Sequence, residues 1–208
     1  MARARALLLL AWLNAVLHVL GLLLAVVAMR PGTPAIPLEQ RMAYLASRPA
    51  GWVAGWSVWA LCALVLVGFF GALLACAREG DEGPLRGLAL ALGAAGAAVD
   101  LCCDTLWIVV VPDLAASGQT ALFVTLERAL GAAGLVVANG LYSIAVLVAA
   151  LSLREGRAFG YATFGFGMLM VAAGFSGDPR HLEWTTGPTI AAFIGWTLVV
   201  ARAEQSRA

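Results

Sequence analysis

The stretch from residue 87 to residue 111 limits the possible folds of this chain more than any other: GLALALGAAGAAVDLCCDTLWIVVV. It is apolar and exceeds the about 20 residues that a helix needs to cross a bilayer, yet Asp100 and Asp104 stand near its middle. Residues four apart share one face of a helix, and Cys103 and Trp107 fall on the same side. A carboxylate at membrane depth costs about 2.5 to 3.5 kcal/mol, so this face needs a cationic partner, a proton or a water-filled cavity.

The composition places the whole chain in the membrane class. Of its 208 residues, 62% are hydrophobic and 12% are charged, whereas a soluble domain has about 45–50% apolar and about 25% charged residues. We therefore predict an integral membrane protein that has the lipid bilayer as its partner. The net charge of +1 gives no basis for binding of nucleic acid, and we predict none.

Apolar runs separated by polar turns predict the topology. They fit an all-α fold, a polytopic bundle of six transmembrane helices that forms a single domain over residues 1–208. The predicted spans cover about residues 6–29, 52–77, 87–111, 121–153, 159–175 and 185–201. The first run is longer than the about 7–15 apolar residues of a signal peptide, so we expect it to be retained as a helix.

The longest loop, residues 30–51, contains a short periodic stretch. Leu38, Met42 and Leu45 follow Pro37 at positions i, i+4 and i+7. This spacing predicts a short amphipathic helix that lies on the membrane surface in the first outer loop. The other predicted polar turns cover residues 78–86, 112–120, 154–157 and 176–183.

Arginine positions predict the orientation. With the N-terminus inside, the inner segments carry eight arginines, namely Arg3, Arg5, Arg78, Arg86, Arg154, Arg157, Arg202 and Arg207. The outer loops carry four, namely Arg30, Arg41, Arg48 and Arg180. Because basic residues are in excess in cytoplasmic loops, we predict cytoplasmic N- and C-termini in a bacterial cytoplasmic (inner) membrane.

A stripe of tryptophans opens the second span. Trp52, Trp56 and Trp59 follow one another at i, i+4 and i+7. The favoured interpretation is an aromatic belt at the membrane interface. Trp59 would lie about 10 Å deeper than Trp52 at about 1.5 Å per residue, which strains that interpretation. The alternative is an aromatic wall that faces a ligand cavity.

Polar residues at depth on spans one, three and four form the candidate site. They are His18, Asp100, Asp104, Glu127 and Arg128, with Asn14, Asn139 and Tyr142 as further candidates. Depth arithmetic places Arg128 about 5 Å from the midplane of a core about 30 Å thick, level with Asp104. We therefore predict an Asp104–Arg128 ion pair and a hydrogen bond from Asp100 to His18 or Asn14. Glu127 is then either protonated or facing a water-filled outer vestibule.

Three functions remain open at this point, beside the interpretation that the polar cluster only holds helices together. The leading hypothesis is a carrier of a small solute, cation or proton that uses the carboxylates and His18. A membrane-embedded metal-dependent hydrolase is a second, although no HExxH motif is present and the identity of any metal stays unknown. A non-catalytic assembly subunit, or a subunit that binds lipid or an apolar ligand, is the third. No cofactor is predicted, enzyme activity is not favoured, and a homo-oligomer is compatible with the sequence.

Overall fold

The protein is described here by a computed structural model that covers residues 1–77, 82–176 and 178–208. Within these ranges the chain is helical and has no strand, and six of its helices are long and apolar enough to cross a membrane. The helices are α1 (Ala2–Leu24), α2 (Leu38–Ala46), α3 (Ala50–Ala75), α4 (Glu82–Ala116), α5 (Thr120–Gly131), α6 (Asn139–Leu151), α7 (Arg157–Ser176) and α8 (Pro179–Ser206).

Irregular helical turns extend two of the spans. A π-helical turn, Ala25–Met29, and a 3₁₀ turn, Arg30–Gly32, continue α1, so that the first span is helical from Ala2 to Gly32. A π-helical segment, Ala132–Ala138, joins α5 to α6, so that the fourth span runs from Thr120 to Leu151. The prediction of six apolar spans is therefore confirmed, with ends that shift by a few residues.

The six spans form a ring. Each span packs against the next one in the chain, and α1 closes the ring by packing against α8. Small residues allow close approaches between the helices: a Cβ atom on Gly160 of α7 would lie 2.4 Å from the Cβ of Ala150 on α6. On α4, a Cβ atom on Gly93 would lie 2.7 Å from the ring of Phe70 on α3. Substitution at either glycine would push the two helices apart.

Two apolar clusters fill the ends of the ring. The terminal-end cluster, near both chain termini, includes Leu7, Phe69, Phe70, Leu73, Val146, Phe193, Trp196 and Val200. The α2-end cluster includes Met29, Leu45, Trp52, Trp107, Val111, Leu114, Phe123 and Leu130. The first cluster closes the ring at one end, and the second fills the wall under α2.

Helix α2 forms where the leucine and methionine spacing predicts it, and it is docked more tightly than predicted. Leu45 is fully buried, and Arg41 on the same short helix is buried as well. The Tyr44 hydroxyl donates a hydrogen bond to the Ala28 carbonyl. Burial raises the pKa of Tyr44, so this donor stays protonated well above neutral pH. The helix thus packs on the bundle.

Helix α4 extends beyond its predicted bounds at both ends. It continues through Pro112 to Ala116, where a turn was predicted, because Val111 and Leu114 bury their side chains in the α2-end cluster. Tertiary packing here offsets the hydrogen bond that a proline removes from a helix. At the other end, residues 78–81 of the predicted charged turn lie outside the described residues.

Arg86 was predicted to lie in a polar turn over residues 78–86, but it is a buried residue of α4. Its guanidinium is fully buried at the terminal end of the ring. It donates to the Leu73 carbonyl at 2.9 Å, to Glu204 at 2.8 Å and to Glu82 at 3.0 Å. Arg86 therefore joins α3 and α4, which are consecutive in the chain, to α8, whose Glu204 lies 118 residues away.

Replacement of Arg86 by alanine should destabilise the protein by about 3–5 kcal/mol, because the buried Glu204 carboxylate loses its closest cation. Chemical unfolding of the purified protein in detergent measures this loss. The double variant Arg86→Met/Glu204→Met should recover more than half of it, since apolar groups replace both charges. Arg202→Ala, at an exposed position on the same helix end, is the matched control. An Arg86→Ala protein as stable as the control would contradict this assignment.

Candidate functional site

A cavity of about 830 Å³ lies inside the ring, beside both apolar clusters. Side chains from all six spans line it, and it extends to the exposed residues Arg30, Pro34 and Ala35 near α2. Its size falls in the range of about 300–1,000 Å³ that is typical of small-molecule sites. The wall is mainly apolar, with a few polar side chains at defined positions.

The structure brings most of the predicted site residues to this cavity. His18, Asp100, Asp104, Glu127, Asn139 and Tyr142 all line it. Asn14 is fully buried deeper in the bundle, and Arg128 is exposed on the outer side of α5. Neither contributes to the lining. The shared face predicted for α4 is present, since Asp100, Cys103, Asp104 and Trp107 line the cavity together.

The predicted Asp104–Arg128 ion pair is wrong. Asp104 is 4% exposed, and its Oδ2 atom has no hydrogen-bond partner among the described residues. Arg128 follows Glu127 directly, and consecutive residues on a helix point about 100° apart. Because Glu127 faces inward, Arg128 faces outward although its depth is similar.

Glu127 instead pairs with Arg41 of α2. Arg41 Nη2 lies 2.6 Å from Glu127 Oε2, and both residues are at least nine-tenths buried. The guanidinium also lies over the ring of Phe123, 5.8 Å from its centroid. Glu127 therefore lines the cavity as one half of an ion pair that fixes α2 to the fourth span, and this partner was not predicted. The sequence did not indicate Arg41 as the partner of Glu127, because Arg41 lies in a predicted loop that is distant from Glu127 along the chain.

Asp100 has a different neighbour from the one predicted. His18 Nδ1 lies 2.9 Å from the Asn14 carbonyl, which can only accept, so the ring donates there and does not bond Asp100. The Asn14 amide has no hydrogen-bond partner among the described residues either. The Asp100 carboxylate lies beside the Tyr142 phenol, short of a hydrogen bond in the geometry found here. The predicted bond from Asp100 to His18 or Asn14 is therefore not formed.

Tryptophans cover one side of the cavity. Trp56 stacks on Trp107 with centroids 5.2 Å apart and planes 2° from parallel. Trp52 meets both rings edge-on, and its Nε1 donates to the Trp107 carbonyl at 2.8 Å. Trp59 lies deeper, edge-on to His18 at 5.8 Å. The stripe that was interpreted first as an interfacial belt thus forms the wall of a cavity, which is the alternative interpretation.

The π-helical segment Ala132–Ala138 borders the carboxylates. Such segments are rare, and they occur often at functional sites. A Cβ atom on Gly134 would lie 3.8 Å from Asp100 Oδ1, and one on Gly131 would meet nothing within 4 Å. Missing side chains therefore leave space where the fourth span passes the Asp pair. Asn139 ends the segment and donates to the Gly134 carbonyl at 2.9 Å.

No three His, Cys, Asp or Glu side chains converge into a possible metal site in the part of the chain that the structure describes. The carboxylates at the cavity thus lack the third ligand that the hydrolase hypothesis needs. Comparisons with protein-family models, with curated proteins and with solved structures find no match. Residue roles in this cavity therefore come from its geometry.

The Arg41–Glu127 pair should hold α2 over the bundle. Replacement of Arg41 by glutamine leaves the Glu127 carboxylate buried without its cation, which costs up to about 3–5 kcal/mol. Amide hydrogen exchange of residues 38–46, followed by mass spectrometry, should then accelerate at least about tenfold.

Asp113→Asn supplies the matched control for this test. It removes the ion pair between Arg48 and Asp113, in which both side chains are more than half exposed. An exposed pair contributes about 0–1 kcal/mol, so exchange in α2 should change little. Equal acceleration in both variants would show that the Arg41–Glu127 pair is not what holds the helix.

Proposed function

We propose that this chain is an integral membrane protein that binds a small solute in the central cavity and carries it across the membrane. The observation that supports this most is the cavity of about 830 Å³ beside Asp100 and Asp104. Ionisable residues inside a membrane bundle are costly, and they often mark solute or ion pathways. Here both carboxylates line the cavity, and neither has a cationic partner among the described side chains.

The other buried charges favour this proposal over a purely structural role. Glu127 and Arg86 each have a charged partner within 3 Å, as expected of groups that hold helices together. Asp104 is as buried as Glu127 but has no cationic partner among the described side chains. A structural role gives no reason for this difference, whereas a ligand site does.

The wall has features of a carrier. The fourth span contains a π-helical segment, Ala132–Ala138, whose Gly134 lies next to Asp100, and such segments occur often at functional sites. The cavity extends towards the loop that follows α1. With the N-terminus in the cytoplasm of a bacterial cell, as the arginine bias favours, the solute would enter from the outer face.

The second candidate is a subunit that binds an apolar ligand without transport. The apolar majority of the lining and the four tryptophans favour it. It shares the cavity with the carrier proposal and differs in whether the ligand crosses the membrane. Flux and binding measured on the same variants separate the two.

Gly131 offers a way to fill the cavity without disturbing the packing. It lines the cavity with helical backbone angles, and an added Cβ would meet nothing within 4 Å. Gly131→Leu should therefore fold normally and occlude the space beside the Asp pair. Gly165→Leu is the matched control, because Gly165 is equally unobstructed but lies on the exposed side of α7.

We expect one or more small solutes, from a panel of amines, carboxylic acids and neutral compounds, to accumulate in proteoliposomes beyond protein-free liposomes. Gly131→Leu should reduce that uptake at least about tenfold, and Gly165→Leu should leave it unchanged. The same panel tested by thermal shift measures binding, since a ligand at about 100 times its Kd stabilises by about 2.7 kcal/mol. Binding that Gly131→Leu abolishes, without uptake of any solute, would favour the second candidate. Absence of both would overturn the proposal.

A further inference from the structure

The charge around the cavity selects one class of ligand. Asp100 and Asp104 lie one helical turn apart, and both line the space. The described basic groups that line it with them are His18, whose Nδ1 donates to a backbone carbonyl, and Arg30 in the exposed 3₁₀ turn. Arg41, the nearest buried guanidinium, is bonded to Glu127. An anionic ligand beside the Asp pair would meet two carboxylates, whereas a cation would supply the partner that they lack.

The tryptophans add a second and independent attraction for a cation. Trp56, Trp59 and Trp107 line the same cavity as the two carboxylates. On α4, Trp107 lies one turn from Asp104 and on the same face. The face of an indole ring carries negative electrostatic potential and attracts an ammonium group within about 6 Å of its centroid. Tryptophan is the strongest of the aromatic side chains in this interaction.

Cavity size and wall chemistry then distinguish an organic cation from a metal ion. A volume of about 830 Å³ far exceeds what one metal ion needs, and the described residues offer no cluster of three metal-binding side chains. The other lining residues are mainly apolar and include Leu22, Leu66, Leu135, Val146 and Phe193. Such a surface removes water from an apolar body attached to the cationic group.

We propose that the cavity binds an apolar organic cation, with its ammonium group between the Asp100–Asp104 pair and the tryptophan wall and its apolar body against the other spans. This inference rests on the proposed function, because it names the class of solute that the cavity takes. It also assigns Asp104 as the main counter-ion, since Asp104 is the more buried of the two carboxylates.

Two probes of one shape isolate the contribution of charge. Benzyltrimethylammonium and neopentylbenzene differ in having nitrogen or carbon at the branch point, so that only the first is cationic. Binding to the full-length protein in lipid nanodiscs is measured by tryptophan fluorescence and by thermal shift, at equal free probe concentrations. We expect the cation to bind at least about tenfold more tightly than its neutral counterpart, a difference of about 1.4 kcal/mol.

Substitutions then test the assigned groups. Asp104→Asn should weaken binding of the cation about tenfold and leave the neutral probe unaffected. Asp100→Asn should act in the same direction, and it serves as the second variant if Asp104→Asn fails to fold. Trp56→Leu should weaken binding of the cation more than binding of the neutral probe. Asp113→Asn, on the exposed side of the same helix, should change neither affinity.

The outcomes separate this inference from the proposed function. One outcome would contradict the cationic class alone: both probes bind equally, Gly131→Leu abolishes the binding of both, and Asp104→Asn changes neither affinity. The cavity would then be a ligand site that does not select cations. If Gly131→Leu changes the affinity of neither probe, any binding occurs outside the cavity and the inference fails on its own. In that case uptake of other solutes in the proteoliposome assay still decides the proposed function.

Discussion

The buried carboxylates of α4 are the constraint on which the interior of this protein depends. A closely packed apolar bundle around Asp100 and Asp104 would remove water from both without compensation. The ring avoids this by leaving space on their side of α4. The other buried carboxylates and guanidinium groups among the described residues have charged partners, as Arg41 has in Glu127. This contrast within one molecule is the basis of the proposal that the two carboxylates serve a ligand.

The local features of the fold could be predicted from the sequence. Six apolar runs determine six helices, because hydrophobic length and helical periodicity are properties of neighbouring residues. The same periodicity places Asp100, Asp104 and Trp107 on one face, and the structure shows that face lining the cavity. The short helix at Leu38–Ala46 follows from spacing as well. Each of these predictions needed only residues within a few turns of one another.

Contacts between helices could not be predicted in the same way. Depth along the membrane normal placed Arg128 level with Asp104, but rotation about the axis of α5 decides which residue faces inward. Glu127 takes that position, and its partner Arg41 lies 86 residues earlier in the chain. The buried position of Arg86 likewise depends on a distant contact, because its partner Glu204 lies on α8. The tryptophan stripe was misjudged because the interfacial belt is the usual environment for that residue, and only the ring topology shows the cavity behind it.

Glycines contribute both to the close packing of the helices and to the space inside the ring. Gly93 and Gly160 face neighbouring helices at the terminal end, where an added Cβ would lie within 3 Å of another side chain. They draw the helices together and allow the terminal-end cluster to close. Gly131 and Gly187 line the cavity, where an added Cβ would meet nothing within 4 Å. The same residue type thus removes space between helices at some positions and preserves it inside the ring at others, and this combination allows a tightly packed bundle to keep the cavity on which the proposed function rests.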